Sequence, residues 1–393
     1  MTISRKVAEV LTRSSWIRKM FEEGARLKAR HGADRVFDFS LGNPNLSPPA
    51  EFRRVVRTIL DQAGDHDHVY MPNAGYPFVR QRVAETVARQ EGLAVTAEEI
   101  IMTCGAAGAL NVILKALLDP GDEVITPAPY FVEYSFYADN HAGVLKTAPT
   151  RADFTLDLDA LSAAITPRTR AVLINSPNNP TGQVYSAESL RSLGALLEAR
   201  GRELGRSLYL ISDEPYRRIV FDGVTVPGIF DSCANSLIAN SYSKDLSLAG
   251  ERIGYVAVNP RAEFRADLVA GMTLANRILG FVNAPALMQR VVAELQEVSV
   301  DVAAYQRKRD LLCDGLADCG YDFVRPKGAL YAFPRTPLAD DVKFVQALQE
   351  ELILTVPGSG FGRPGHFRIA FCVSDETIVN ALPGFGRVMA RFR

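Results

Sequence analysis

One lysine of this chain stands where an amine can do chemistry. Lys244 lies in the run S-Y-S-K-D-L-S-L-A-G-E-R-I-G-Y, between an apolar stretch ending at Asn240 that reads as a short buried strand and Arg252–Val258, which reads as another. A lysine at a strand end, away from a solvated face, can have its ammonium pKa lowered and act as a nucleophile toward carbonyls. Hydroxyls at Ser241, Ser243 and Ser247 and the guanidinium of Arg252 suit a phosphate dianion, through hydroxyl donors and a planar fork. An amine beside a phosphate site is what pyridoxal phosphate requires: an aldehyde captured as a Schiff base and a phosphate to be held. The competing reading is an ordinary surface lysine and arginine flanking a loop.

The elements that would position these groups alternate from about residue 100. Glu99–Thr103 reads as a strand, followed by the small-residue turn Gly105-Ala106-Ala107-Gly108 and a helix to Leu118. Asp122–Thr126, Arg170–Asn175, Leu208–Ser212 and Ser236–Asn240 read as further strands, with helices near 157–165 and over 186–203. Short, wholly apolar strands alternating with helices imply βαβ units and a mostly parallel sheet covered on both faces. A long helical region over roughly 284–318 leads to a hairpin-like pattern at Pro326–Phe333, a helix near 340–351 and a strand around Phe367–Phe371. The expected architecture is α/β. Residues 46–290 form a large cofactor-binding domain and residues 291–393 a smaller α+β domain, against which an N-terminal arm (1–45) packs.

Ligands of parallel α/β sheets bind beyond the carboxyl ends of the strands. Asn179 follows the 170–175 strand in the turn S-P-N-N-P-T-G, and Asp213 and Tyr216 follow the 208–212 strand. Ser241 and Lys244 follow the 236–240 strand, and the glycine turn follows the 99–103 strand. Around pyridoxal phosphate each has a task. Asp213 would pair with the ring nitrogen, Asn179 and Tyr216 with the phenolic oxygen, and Phe131 would stack on the ring. Backbone N–H groups of Gly105, Ala106 and Ala107 at a helix start would meet the phosphate, with Ser241 and Arg252 completing that cradle. Taken singly, a helix-capping Asp, a turn Asn or a core Phe explains each residue equally well; the order at successive strand ends is what packing does not explain.

Length and composition bound the rest. A chain of 393 residues, 47% apolar and 23% charged, suits a globular protein with a substantial core. A formal net charge of −1 gives no reason to expect a nucleic-acid or membrane partner. Five scattered cysteines suggest a reducing cytoplasm and no metal site. His66 and His68 in an acidic turn read as a solvated loop, and no run approaches the roughly 18 apolar residues of a membrane span.

With these residues in hand, the chain resembles the fold-type-I, pyridoxal-phosphate-dependent aminotransferases of class I/II over nearly its whole length. The resemblance is carried by the Lys244 run with Gly250, Arg252 and Gly254, by Asn179-Pro-Thr-Gly182 and by Asp213-Glu-Pro-Tyr216. It implies amino transfer between an L-amino acid and a 2-oxo acid through an internal aldimine at Lys244, with Asp213 and Tyr216 assisting. It further implies that Arg368 clamps the substrate α-carboxylate, with Asn179 and the backbone of Gly42 nearby. Tyr70 would reach across a homodimer interface to the neighbouring phosphate. One branch of aspartate aminotransferases places a lysine where this chain has Ala107, which leaves the donor open; Arg277 is a candidate for a distal carboxylate. Pyridoxal-phosphate-dependent β-lyase, decarboxylase or oxidase chemistry is the alternative, because the cofactor residues do not choose which Cα bond breaks. An aminotransferase-like transcription regulator would need an N-terminal DNA-binding domain, and the forty residues before Gly42 show no helix-turn-helix.

Overall fold

The computed structural model describes residues 2–12, 16–64 and 67–392, so Asp65 and His66 of the acidic turn lie outside the described residues. The chain opens with α1 (Arg5–Thr12), α2 (Trp16–His31) and a two-residue strand β1 (Phe37–Asp38). Next come α3 (Ala50–Asp61) and α4 (Pro77–Glu91), the latter entered through a proline whose fixed φ suits a first helical turn. The alternating region runs β2 (Ile100–Thr103), α5 (Gly105–Leu117), β3 (Glu123–Ala128), α6 (Glu133–Asp139) and β4 (Val144–Pro149). It continues with α7 (Leu158–Ala164), β5 (Thr169–Asn175), α8 (Ala187–Leu204), β6 (Tyr209–Asp213), β7 (Ser236–Ser241) and β8 (Gly254–Val258).

These strands form one seven-stranded sheet in the order β2-β8-β7-β6-β5-β3-β4. Its two faces are both apolar. Along β5, Ala171 and Leu173 enter one core while Val172 and Ile174 enter the other, the period-2 alternation of a strand buried on both sides. All pairings are parallel except those of β8, which runs antiparallel between β2 and β7. That reversal matters for the site: Gly254, the first residue of β8, pairs with both Thr103 and Ser241, the last residues of its neighbours. Arg252 is thereby delivered to the same rim as the carboxyl ends of the parallel strands.

After the sheet come α9 (Arg265–Ile278), α10 (Ala286–Ala293) and α11 (Val302–Asp318). The single helical region expected over 284–318 is therefore broken between Ala293 and Val302. The cause is tertiary: Arg218 Nη1 donates to the carbonyls of Gln296 (3.1 Å) and Val298 (2.6 Å), and the Val300 N–H donates to the Asp245 carbonyl at 2.7 Å. Backbone groups that would continue the helix are used to hold the loop beside Lys244. The chain ends with β9 (Tyr331–Ala332), α12 (Asp341–Glu350), β10 (Ile353–Leu354), β11 (Val356–Pro357), β12 (Phe367–Ala370) and α13 (Asp375–Arg391).

β11, β12 and β9 make a small antiparallel sheet, and β1 pairs in parallel with β10. A third core gathers Met20 and Phe39 with Tyr305, Leu312, Phe344, Phe367 and Phe385, and includes Tyr216 from the loop after β6. Among the described residues no helix is long and apolar enough to cross a membrane.

Candidate active site

The carboxyl ends of the parallel strands open into a cavity of about 400 Å³. Gly42, Ala106, Ala107, Phe131, Asn179, Asp213, Tyr216, Ser241, Lys244, Arg252 and Arg368 all line it. Strand register explains the convergence: Asn175 pairs with Asp213 and Asp213 with Ala239, two residues before Ser241. A larger hollow of about 610 Å³ lies at the opposite end of the sheet, around Arg206, Asp231 and Glu263, and holds none of the residues singled out above.

Lys244 is half-buried, and its Nζ donates to the Gly42 carbonyl at 2.7 Å and sits 5.8 Å from the centre of the Tyr216 ring. Burial lowers its pKa to about 8, and the nearby guanidinium groups of Arg368 and Arg252 act in the same direction. Asp213 ends β6 and is buried. Its Oδ2 accepts from the Tyr134 hydroxyl at 2.5 Å, while its Oδ1 is buried with no partner. Burial pushes this carboxyl up to about 7, against the hydrogen bond from Tyr134. A buried carboxylate oxygen without a donor is costly unless something else supplies one.

Asn179 is held by its turn. The Asn178 side chain accepts from the N–H and hydroxyl of Thr181, and the Asn179 N–H donates to Asn175 Oδ1 at 2.6 Å. Asn179 Oδ1 in turn accepts from Arg368 Nη1 at 3.1 Å, and Arg368 Nη2 donates to the Ser40 carbonyl at 2.5 Å. Arg368 is buried between the rings of Tyr331 and Phe361, 4.7 and 4.8 Å from their centres, and its Nε has no partner. Burial without a carboxylate partner lowers its pKa. Such a guanidinium is poised to accept an anion in a fork geometry. Beside it, the hydroxyls of Tyr216 and Tyr331 are 2.8 Å apart. A Cβ on Gly42 would stand 1.9 Å from the Tyr331 hydroxyl, so only glycine lets this loop approach.

The third cluster surrounds the start of α5. Cys104 provides no side-chain cap, so the first N–H groups of the helix are free to meet an anion. Gly105 has φ +70°, and a Cβ there would come within 2.9 Å of Arg252 Nη2; a Cβ on Gly254 would strike the Asn240 carbonyl at 2.3 Å. The two glycines let the helix start, β7 and Arg252 close around one point, with Ser241 and Ser243 on the same wall. Together these groups form an anion cradle at one end of the cavity and an anion fork at Arg368, with an amine of depressed pKa also on its wall.

Three residues of the sequence reading fall elsewhere. Ser247 does not line the cavity; its Oγ is buried and unpaired. Arg277 is exposed on α9, and Tyr70 is 87% exposed and outside the cavity of its own chain. Conversely, Tyr134, Tyr331, Asn175 and Glu133 were not expected. Tyr134 and Tyr331 meet their partners only through tertiary packing, whereas Asn175 carried a signal as the last polar residue of an apolar strand.

The sequence profile of the family Aminotransferase class I and II matches residues 34–384. The chain is 36% identical over 371 residues to the aspartate/prephenate aminotransferase of Thermus thermophilus, covering 92% of this chain and 93% of that one. It is 32% identical to the aspartate aminotransferase of Geobacillus stearothermophilus, covering 99% of each. Among solved structures, an amino transferase from Eubacterium rectale superposes with a TM-score of 0.97 at 38% identity over the whole of both chains. The aspartate aminotransferase from Thermus thermophilus with maleate superposes with a TM-score of 0.87 at 31% identity, over 99% of this chain and 100% of that one. With matches of this extent on sequence and structure alike, the chain belongs to the class I and II aminotransferase family, enzymes that move an amino group between an amino acid and a 2-oxo acid.

Proposed function

We propose that this aminotransferase uses pyridoxal 5′-phosphate, attached through Lys244, and exchanges the amino group of an L-amino acid with a 2-oxo acid. The observation that carries this reading is the unpartnered, buried Oδ1 of Asp213 in the same cavity as an amine whose pKa is lowered to about 8. The residues fit the group. Asp213 would accept from the ring N–H, Asn179 and Tyr216 would face the phenolic oxygen, and Phe131 would cover one ring face. The start of α5 (Gly105, Ala106, Ala107), Ser241 and Arg252 would hold the phosphate.

When bound, the cofactor supplies an aldehyde that takes up the amino group and a ring that withdraws electrons from Cα. The protein does the rest. Arg368 and Asn179 hold the α-carboxylate beside the Gly42 backbone, which orients the Cα–H bond toward Lys244. The free Lys244 amine takes that proton as a general base and can return it as an acid. A pKa near 8 keeps a usable fraction in the basic form at neutral pH.

A homodimer completes the site in this reading, with Tyr70 reaching the neighbouring phosphate. Asn276 donates to the Asn73 carbonyl and Asn73 to the Val282 carbonyl, tying the 69–76 segment to α9 and to the loop that follows it. Val69, Tyr70, Leu274 and Ile278 are exposed on these two segments, an apolar surface suited to a second copy. Five free cysteines suit a cytoplasmic setting. The relatives' names carry aspartate and prephenate, but Ala107 offers no charge to a distal carboxylate, so the donor is left as an L-amino acid.

The test is a half-reaction: protein supplied with pyridoxal phosphate is mixed with a panel of L-amino acids, and absorbance, 2-oxo acid and ammonia are followed. One equivalent of 2-oxo acid without ammonia supports amino transfer. Ammonia release with every active donor would replace it with lyase or oxidase chemistry.

A further inference from the structure

Five charged side chains line the cavity: Lys244, Arg252, Arg368, Asp213 and Glu133. The reading above gives the first four a task toward the cofactor or the α-carboxylate, and none to Glu133. This residue opens α6, two positions after Phe131. Its neighbour Tyr134 is pinned to Asp213 by its hydroxyl and packs edge-on against Phe131, with ring centres 5.6 Å apart. The first turn of α6 is therefore fixed to the cavity wall, and Glu133 is held with it. The Glu133 carboxylate makes no hydrogen bond or ion pair with the described residues, and burial raises its pKa. Leu41, Ala107 and Leu110 share this wall and supply no counter-charge, and Tyr137, one turn further along α6, adds only a neutral hydroxyl whose pKa burial and Glu133 raise.

A half-buried carboxylate facing a cavity with no partner is an acceptor awaiting a donor. It does not suit the phosphate, which it would repel, nor the α-carboxylate for the same reason. Among the groups that the reaction brings to this chain, what remains is the substrate side chain. We infer that Glu133 sets side-chain specificity and that the site favours amino donors whose side chain ends in a cation, an ammonium or guanidinium, over dicarboxylic ones. The inference rests on the aminotransferase reading for the placement of the donor's α-carboxylate at Arg368. Opposite charges a few ångströms apart in a partly desolvated wall attract by enough for a preference of about tenfold or more, and like charges repel comparably.

The experiment compares wild type with Glu133→Gln and Glu133→Asp, each supplied with pyridoxal phosphate, using L-lysine, L-norleucine (the same carbon skeleton without the terminal ammonium) and L-glutamate. Amino transfer is read as kcat/KM and binding by calorimetry. Wild type is expected to favour lysine over norleucine by about tenfold or more and to discriminate against glutamate. Glu133→Gln should collapse the lysine-to-norleucine ratio toward unity and improve glutamate, while Glu133→Asp should retain part of the preference. A wild type that prefers glutamate, or a ratio unchanged by Glu133→Gln, overturns the inference even if amino transfer is robust. Selective, Glu133-dependent binding without amino transfer would leave the inference standing and remove the proposed chemistry. No binding of any of the three would overturn it.

Discussion

Replacing Arg368 by lysine keeps the positive charge and removes the fork. In the native site the guanidinium is clamped by the Tyr331 and Phe361 rings at 4.7 and 4.8 Å, and by the Ser40 carbonyl and Asn179. Its planar edge is thus fixed before any anion arrives. A lysine ammonium in the same space is a point charge on a flexible stem, so one of the two charge-assisted hydrogen bonds to an α-carboxylate is lost. Such a bond contributes about 1.5–3 kcal/mol. At 1.36 kcal/mol per decade, kcat/KM for the preferred amino acid should fall about 10- to 150-fold. The control is the amine with the same side chain and no α-carboxylate, a poor substrate for wild type, whose kcat/KM should change less than about threefold because its missing group cannot feel the missing fork. Equal losses for the amino acid and the amine would refute the reasoning, since Arg368 would then act on the fold of the site and not on the carboxylate.

Three further outcomes follow from the same geometry. Arg217 lies buried between Glu214 Oε2 at 2.8 Å and Glu91 Oε1 at 3.1 Å and stiffens the turn that carries Asp213 and Tyr216. Arg217→Ala leaves two buried carboxylates facing each other and should cost about 3–5 kcal/mol in urea unfolding; a loss under about 1 kcal/mol would contradict the buried network. Because burial lowers Lys244 from 10.5 to about 8, its free amine increases roughly tenfold per pH unit below that value and then levels. The rate of cofactor uptake by cofactor-free protein should trace that curve, and a rate still climbing near pH 10 would count against it. The linkage has the same sign: the unfolded chain keeps this proton up to 10.5 while the folded one releases it near 8, so this group's contribution to stability rises with pH across that window. Mixing Tyr70→Phe and Lys244→Ala dimers under subunit exchange should restore activity to about a quarter of wild type, since each hybrid dimer regains one intact site; no gain on mixing would argue against sharing.

Much of this was legible in the sequence, for reasons that differ by element. β5, β6 and β7 carry apolar centres (residues 171–174, 209–211 and 237–239) followed by polar residues, so both the strands and the rim residues Asp213 and Ser241 could be read directly. β4 has largely exposed or half-exposed positions at the sheet edge, with Lys146 and Thr147 among them, and shows no apolar run. β1, β10 and β11 are two residues long, too short for any period to appear. α9 buries Leu268, Met272 and Ala275 at helical spacing but lies beyond the strand–helix alternation. The break before α11 had no local signal, because Arg218, some eighty residues away, takes up the carbonyls there. The same holds in the site. Lys244, Asn179 and Arg252 announce themselves by local sequence, whereas the Tyr134–Asp213 and Tyr216–Tyr331 pairs join distant segments and exist only once the chain is folded.

The central claim is that Lys244 is the amine that holds the cofactor. Protein supplied with pyridoxal phosphate is reduced with borohydride, digested and mapped by mass spectrometry. One pyridoxyl-modified peptide is expected, carrying the label on Lys244, and it should be absent from the Lys244→Ala protein. A label on another lysine, or no covalent label in a wild type that still transfers amino groups, would contradict it.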